Sequence, residues 1–272
     1  MSQAGYTASA GARSIRNWLA TWLAISGGAA AYATLPLVTD EADTQDPGTL
    51  QVEAGASYET DSSCDHYDIP ITLTYGVMPR VDVAVGLGEQ FESRASDDSK
   101  TERVHGIADL NVAMKWMFQE ESTCLPRQTI SPSVKLPTAD DGDGMGSGKT
   151  DYDLTWKASK SLGKDIGLHV NAGYAWVGHE SDEDAGDVVH WGVAMDYQIL
   201  AAMQCIGEVF GEEDIKEHET TWQCNLGLRW DATDSLRLVA AGGSKLSGDA
   251  PDFTATARVI WVLGAKSADN SK

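Results

Sequence analysis

The sequence is poor in positive charge and in long apolar runs. Its 272 residues include 20 Lys and Arg against 41 Asp and Glu, which gives a formal net charge of −21. Because nucleic acid is bound through a basic surface that meets its phosphates, this balance excludes a general affinity for nucleic acid. A membrane-spanning helix needs about 20 consecutive apolar residues, and no segment after residue 33 supplies them. Any membrane-spanning structure beyond that point must be made of strands.

The first 33 residues are typical of a bacterial export signal. Arg13 and Arg16 provide a positive start, residues 18–30 form a short apolar run, and Ala31-Tyr32-Ala33 offers the small residues that a signal peptidase prefers. The run is too short and too rich in Ala and Gly for a spanning helix. We expect residues 1–33 to be removed, and the loss of two arginines changes the formal charge to −23.

A two-residue rhythm runs through the chain after residue 48. Leu50, Val52, Ala54, Ala56 and Tyr58 alternate with polar or small residues, so one face of this segment is apolar and the other is not. Successive side chains of an extended chain point to opposite faces, and the pattern therefore predicts a half-buried strand.

Twelve segments show this rhythm, and none between them has a helical period. Their lengths match the ~9–11 residues that a tilted strand needs to cross a bilayer. We predict strands at 49–58, 66–75, 81–91, 106–118, 128–137, 151–160, 166–177, 189–197, 201–210, 219–230, 235–244 and 253–263.

The connections between these strands alternate in length and charge. Short ones such as 76–80 and 162–165 carry turn residues, whereas 92–105, 138–150 and 178–188 are long and acidic. This asymmetry is expected of an outer-membrane barrel, with turns in the periplasm and loops outside. We predict an all-β fold, one antiparallel transmembrane barrel of twelve strands in the outer membrane of a Gram-negative bacterium. A periplasmic segment 34–48 would precede the barrel at 49–263, and a polar tail 264–272 would follow.

The tryptophans lie on the apolar phase of their strands. Seven remain after the signal: Trp116, Trp156, Trp176, Trp191, Trp222, Trp230 and Trp261. This phase suits a lipid interface and equally a buried core, so a soluble sandwich or lipocalin-like barrel is the alternative. The polar opposite phase and the one-sided long loops favour the membrane barrel.

Several motifs match one family in order and spacing between residues 36 and 230. They are Pro36-Leu37-Val38-Thr39-Asp40, Gly48-x-Leu50-x-x-Glu53-x-Gly55, Ser131-x-Ser133-x-Lys135-x-Pro137-Thr138, Gly146-Ser147-Gly148-x-Thr150-Asp151, His169-Val170-Asn171-x-Gly173-Tyr174 and Gly207-Glu208-Val209-Phe210-Gly211-Glu212. The chain thereby resembles outer-membrane transporters linked with the meta-pathway of phenol degradation. That resemblance implies a barrel with a transport role.

Three patterns that resemble reactive or binding sites are weak. Residues 143–150 resemble a phosphate-binding loop, but Asp143 stands where the first glycine is required. Asp140, Asp141 and Asp143 resemble the start of a calcium loop that lacks its closing Glu, so a loose surface calcium site and a solvated loop both stay open. The scattered Ser and His residues show no nucleophile motif, which argues against an outer-membrane hydrolase. No cofactor or metal is indicated, and we expect no enzyme.

The function is expected inside the barrel, where both signs of charge share the inward phase and can pair across strands. The predicted lumen-lining residues are Glu53, Asp68, Asp82, Asp109, Lys115, Lys135, Asp153, Lys157, His169, His190, Asp196, Glu208, Arg229, Arg237 and Arg258. A barrel of twelve strands has a lumen of intermediate width: an eight-strand barrel is filled by its own side chains, and a sixteen-strand barrel encloses a wide channel.

We predict a passive channel for small solutes, with aromatic or hydrophobic compounds as candidates. A closed structural or ligand-binding barrel is the alternative. The expected partners are membrane lipid, the solute and, during biogenesis, the barrel assembly machinery.

The four cysteines have three possible pairings in a compartment that permits disulfides. We place Cys64 in an outer loop and Cys124 in a periplasmic turn, too far apart to bond, and expect both to be unpaired. Cys205 and Cys224 share one hairpin, where a bond and two reduced thiols both stay open.

Overall fold

The computed structural model describes residues 37–95, 101–140, 145–178 and 186–264. Every regular element in these ranges is a strand. They are β1 (Leu50–Thr60), β2 (Cys64–Met78), β3 (Val81–Ala95), β4 (Thr101–Ile107), β5 (Leu110–Gln119), β6 (Arg127–Leu136), β7 (Asp151–Ser161), β8 (Ile166–Trp176), β9 (Val188–Leu200), β10 (Met203–Asp214), β11 (Glu219–Thr233), β12 (Leu236–Ser247) and β13 (Phe253–Leu263).

Neighbouring strands pair antiparallel around a closed circle. The first strand pairs with the last over its whole length, from Leu50 opposite Leu263 to Thr60 opposite Phe253. Closure pairs the first strand with the last, which a bilayer requires because lipid tails cannot hydrogen-bond to the backbone; the short β4 pairs with β3 alone. The predicted antiparallel barrel is confirmed. We call the end that carries the connections 79–80, 120–126, 162–165, 201–202 and 234–235 the turn end, and the opposite end the loop end.

The wall has twelve positions although thirteen strands are present. Both β4 and β5 pair with β3, β5 along Val81–Gly86 and β4 along Glu89–Ala95. The sequence predicts one strand over 106–118, whereas the structure breaks the ladder at Ala108 and Asp109 and starts β4 earlier. The cause is the Asp109 carboxylate, which accepts backbone N–H groups from Thr138 and Ala139, both at 2.9 Å.

The apolar phase of the strands faces outward. On β2, Ile71, Leu73 and Tyr75 are exposed while Thr72 and Thr74 are buried inside. Five of the seven tryptophans are exposed on the outer surface: Trp116, Trp176, Trp222, Trp230 and Trp261. The exposed tryptophans therefore belong to the outer face of the wall and not to a core. Among the described residues no helix has the length and apolar character to cross a membrane.

All four cysteines are free thiols. Cys205 lies opposite Leu228 and Cys224 opposite Val209, so the two are four register positions apart on their hairpin. Of the two alternatives for Cys205 and Cys224, the structure therefore has two reduced thiols and no disulfide. Cys124 is exposed in a turn, as expected, but Cys64 is the first residue of β2 and buried, and not in a loop as predicted.

Candidate functional site

Residues 37–47, which we call the interior segment, lie inside the barrel. The sequence predicts a periplasmic segment over 34–48, but its described residues contact inward side chains of seven different strands. Leu37, Thr39, Asp40 and Ala42 are almost fully buried there. The segment contains no regular secondary structure, and its backbone groups are therefore satisfied by side chains of the wall.

Glu208 on β10 holds the start of the interior segment. Its two carboxylate oxygens accept the backbone N–H groups of Val38 at 3.0 Å and Thr39 at 2.7 Å. The side-chain amide of Asn225 donates a third hydrogen bond, at 2.7 Å. A buried carboxylate that accepts three hydrogen bonds is well solvated by the protein, and the chain is thereby fixed at this point.

Asp40 occupies the centre of the segment and meets two lysines. Its Oδ2 lies 2.7 Å from Nζ of Lys115 on β5 and 2.6 Å from Nζ of Lys157 on β7. Burial alone would raise the pKa of Asp40, but the two ammonium groups outweigh it and lower the pKa to about 2. The carboxylate is therefore ionised at any physiological pH.

Further side chains bind the rest of the segment to the wall. Lys115 also donates to the backbone carbonyls of Glu41 and Asp43, at 3.1 and 3.2 Å. The Glu41 carboxylate pairs with Arg229 at 2.7 Å, and Asp43 pairs with Arg127. The N–H of Gln45 donates to both carboxylate oxygens of Asp82, at 3.0 and 2.9 Å. The contacts spread over the whole circumference at the turn end of the lumen.

A chain of three side chains anchors Ala42. Asp196 lies 2.8 Å from Nε2 of His169, whose Nδ1 lies 2.8 Å from Oγ of Ser159. The backbone N–H of Ala42 donates to that same Oγ at 2.8 Å. These are the residue types of a serine hydrolase, and the strand register, Ser159 opposite His169, brings them together although the sequence showed no such motif. The serine is buried against the segment, so the chain positions the backbone of Ala42.

Gly192 on β9 makes room for the segment. A Cβ at this position would overlap Oγ1 of Thr39 and lie 3.4 Å from Cβ of Phe210. Any side chain at Gly192 would therefore displace Thr39, whose N–H is held by Glu208.

Other charges pair near the loop end. Lys135 lies 2.7 Å from Asp151 on the neighbouring β7 and 3.2 Å from Asp109 at the break between β4 and β5, and it donates to Oγ of Ser147 at 3.0 Å. His190 lies 2.7 Å from Asp153. Charge pairing of this kind is what the two signs on the inward phase predict.

Toward the loop end from the segment lies a cavity of about 120 Å³. Its wall is mainly apolar, with Leu37, Pro70, Phe210 and Ala241 among the lining side chains. Arg258, whose Nη1 lies 2.8 Å from Glu53, also lines it. The lumen thus has two zones, one filled by the segment and one open.

The predicted inward residues are buried or partly buried in the structure. Glu53, Asp109, Lys115, Lys135, Lys157, His169, Glu208 and Arg258 are buried, and Asp68, Asp153, His190 and Arg229 are partly buried on the same side. The sequence missed Asp40 and Ser159 as partners, although Asp40 lies in the family-like motif at 36–40. Asp141 and Asp143 of the expected calcium loop lie outside the described residues, as do the signal at 1–33 and residues 265–272 of the tail.

Comparison with known proteins gives one family and a set of barrels. The family described as "Putative MetA-pathway of phenol degradation" matches residues 33–263. No curated protein matches the chain.

Among solved structures, an outer membrane channel from Pseudomonas putida F1 has a TM-score of 0.71 at 13% identity, over 81% of this chain and 97% of that one. The NanC porin has a TM-score of 0.54 at 12% identity, over 79% of this chain and 99% of that one. The translocator domain of the autotransporter NalP from Neisseria meningitidis has a TM-score of 0.51 at 10% identity, over 94% of this chain and 97% of that one. At such identities the shared feature is the fold, which is a closed antiparallel β-barrel.

Proposed function

Because the chain belongs to this family of the MetA-pathway of phenol degradation, we propose that it is a passive channel for small aromatic or hydrophobic solutes. The solute enters at the loop end, occupies the cavity and leaves at the turn end. The interior segment restricts the second half of this path. No covalent chemistry is involved, and the protein supplies a route whose size and polarity select the solute.

The cavity carries this proposal. Its volume of about 120 Å³ is close to that of an apolar cavity of about 150 Å³ that binds benzene. Apolar lining with a few polar groups is the usual composition of a small-molecule site. A single aromatic ring therefore fits the open zone of the lumen, whereas an oligosaccharide does not.

The interior segment sets the limit on passage. It is held through hydrogen bonds and ion pairs with polar wall groups, as at Glu208 and Lys157, and Leu37 is its one apolar residue packed into a buried cluster, with Ala194 and Ile206. Polar contacts of this kind can be exchanged for water at modest net cost, because each intramolecular hydrogen bond contributes only about 0.5–1.5 kcal/mol net. The segment therefore narrows the lumen without being part of the barrel's hydrogen-bonded wall.

Two proteins with similar barrels are known as a channel and a porin. The protein from Pseudomonas putida F1 is an outer membrane channel, and NanC is a porin. Both share with this chain the closed antiparallel wall, which encloses an interior shielded from lipid. The two-zone lumen is the feature through which such a wall would select small aromatic solutes here.

Uptake of phenylalanine into proteoliposomes tests the proposal. This solute is aromatic and carries both charges, so it crosses lipid slowly and needs a protein route. We expect vesicles with the protein to equilibrate phenylalanine faster than protein-free vesicles, and to exclude a disaccharide such as sucrose. Equal rates with and without protein would reject the channel function. Entry of sucrose would reject the restricted lumen.

A further inference from the structure

We propose that the cavity is a binding site for an aromatic compound that carries an ammonium group, with the ring in the apolar part and the cation between Glu59 and Glu212. The proposal deepens the channel function and rests on it. The proposal specifies the charge of a preferred solute. Three separate observations support the proposal: the two carboxylates, the unpartnered polar atoms and the apolar wall.

Neither carboxylate is paired with a lysine or an arginine within the described ranges. Glu59 lines the cavity, and the charged groups that act on it most strongly are His66 and Asp68. For Glu212 they are Asp214 and Glu59, both acidic. Within the described ranges, no hydrogen bond or ion pair reaches either carboxylate. This sets them apart from Glu53, Glu208 and the other inward carboxylates, which have partners at 2.7–3.2 Å.

His66 cannot balance all the carboxylates around it. It faces Glu59 in the strand register, and its Nε2 also lies 2.9 Å from Oδ2 of Asp68, so that a single imidazole stands against Glu59, Asp68 and Glu212. Asp214 is itself occupied, because its carboxylate accepts the backbone N–H groups of Gly186, Lys216 and Glu217. Two buried carboxyl groups without a full counter-charge therefore remain at the loop end of the cavity, and an ammonium ion bound between them would stabilise their ionised form.

Unpartnered polar atoms accompany the carboxylates. Gln90 and Gln223 line the cavity, are more than nine-tenths buried, and have side-chain oxygens without a hydrogen-bond partner in the part of the chain that the structure describes. Oγ1 of Thr221, which lies opposite Glu212 in the register, is also buried and has no hydrogen-bond partner among the described residues. A buried polar group without a partner costs about 1–3 kcal/mol. A ligand with N–H donors satisfies several of these groups at once.

The apolar part of the cavity adjoins this polar end. Phe210 precedes Glu212 by two residues on the inward face of β10, a separation of about 7 Å along the strand. Phe210 lies opposite Gln223 in the register, so the ring and the amide share one level of the lumen. An aromatic ring packed on Phe210 would place a substituent one carbon away toward Glu212, and the face of Phe210 also attracts a cation.

The site favours an organic cation over a metal ion. Across the described ranges, no three His, Cys, Asp or Glu side chains lie close enough to hold a metal. Calcium takes six to eight oxygen ligands, and two separated carboxylates do not supply them. An ammonium group needs only two or three acceptors, which Glu59, Glu212 and the amide oxygens provide.

Calorimetric titration of the protein in lipid nanodiscs, with three compounds of nearly one shape, tests the proposal. Benzylamine is a cation, benzyl alcohol is neutral, and benzoate is an anion. We expect benzylamine to bind at least about tenfold more tightly than the other two. The double variant Glu59→Gln with Glu212→Gln should lose this preference and bind the three compounds with about equal affinity. Glu213→Gln is the matched control, because Glu213 is the next residue on the same strand and faces outward.

Three results would overturn the site: no binding of benzylamine, equal affinity for the three compounds, or a preference that survives in the double variant. Heat-modifiable migration on gels verifies that each variant is a folded barrel. The channel function is tested separately, because phenylalanine uptake can be normal while benzylamine has no preference. Failure of the site and failure of the channel are therefore distinguishable.

Discussion

Asp40 and Lys157, 117 positions apart in the sequence, form an ion pair of 2.6 Å in the interior of the barrel. The pair joins a segment without regular structure to the seventh strand of the wall. Lys115 on β5 meets the same carboxylate oxygen at 2.7 Å. Removal of one member of a buried pair leaves an uncompensated charge, which makes Asp40 the most sensitive position of the interior segment.

Asp40→Asn should loosen the interior segment. The amide carries no charge to balance Lys115 and Lys157, and the segment would then be exposed more often. A glutamyl endopeptidase should cleave after Glu41 in the variant and produce a new N-terminus at Ala42, while the wild-type bond is protected. Asp46→Asn makes the same chemical change at an exposed residue of the segment and should stay protected. Equal cleavage of the three proteins would contradict the docking.

Gly192→Ala should displace Thr39 without disturbing the wall. The added methyl group occupies the position of Thr39 Oγ1, so the N–H of Thr39 loses its alignment with Glu208. Hydrogen exchange at Thr39, measured by mass spectrometry, should accelerate by about tenfold, the effect of about 1.4 kcal/mol. Gly207→Ala is the control, because its nearest atom would be Leu226 Cδ1 at 3.8 Å. Unchanged exchange in Gly192→Ala would show that the segment does not need this space.

The docking of the segment should withstand acid to well below pH 4. The pKa of Asp40 is about 2 when docked, compared with 3.8 for the free group. A lowered pKa means that the ionised carboxylate stabilises the docked state by about 2 kcal/mol above pH 4. This contribution is lost as the pH falls through about 2. Exchange protection of the backbone N–H groups of Asp40 and Glu41, corrected for the intrinsic pH dependence, should persist from pH 7 to pH 4. Loss of protection near pH 5 would contradict it.

Lys135→Glu should shift ion selectivity toward cations. The change replaces the one cation between Asp109 and Asp151 by a third carboxylate. We expect the permeability ratio of potassium to chloride to rise by about twofold or more. Lys135→Met removes the charge alone and should shift the ratio in the same direction by less. Val134→Leu, on the lipid-facing phase, is the control. Identical reversal potentials for the wild type and both Lys135 variants would reject the lumen assignment.

The wall could be predicted from the sequence because the alternation within each strand shows which of its residues point inward and which point outward. Alternation around Leu50 to Tyr58 predicts β1 within two residues, and it places Lys135 inward and Val134 outward without knowledge of any partner. The same alternation runs through 106–118 and hides the break at Asp109. That break depends on Thr138 and Ala139, which lie some thirty positions away.

The interior segment could not be predicted in this way. It has no periodicity, and the contacts that anchor it to the wall join residues far apart in the chain, as Thr39 and Glu208 are by 169 positions. Alternation identifies which residues point inward, but not which of them meet. The link between Ser159, His169 and Asp196 depends on the register of β7, β8 and β9, which the sequence does not specify.

Single-channel conductance in a planar bilayer tests most directly whether the interior segment restricts a channel. The wild type should show small, discrete conductance steps in potassium chloride. The double variant Asp40→Asn with Glu208→Gln removes both main anchors of the segment and should give steps larger by severalfold, whereas Asp46→Asn should match the wild type. Equal conductance of the wild type and the double variant, with both folded and inserted, would contradict the account.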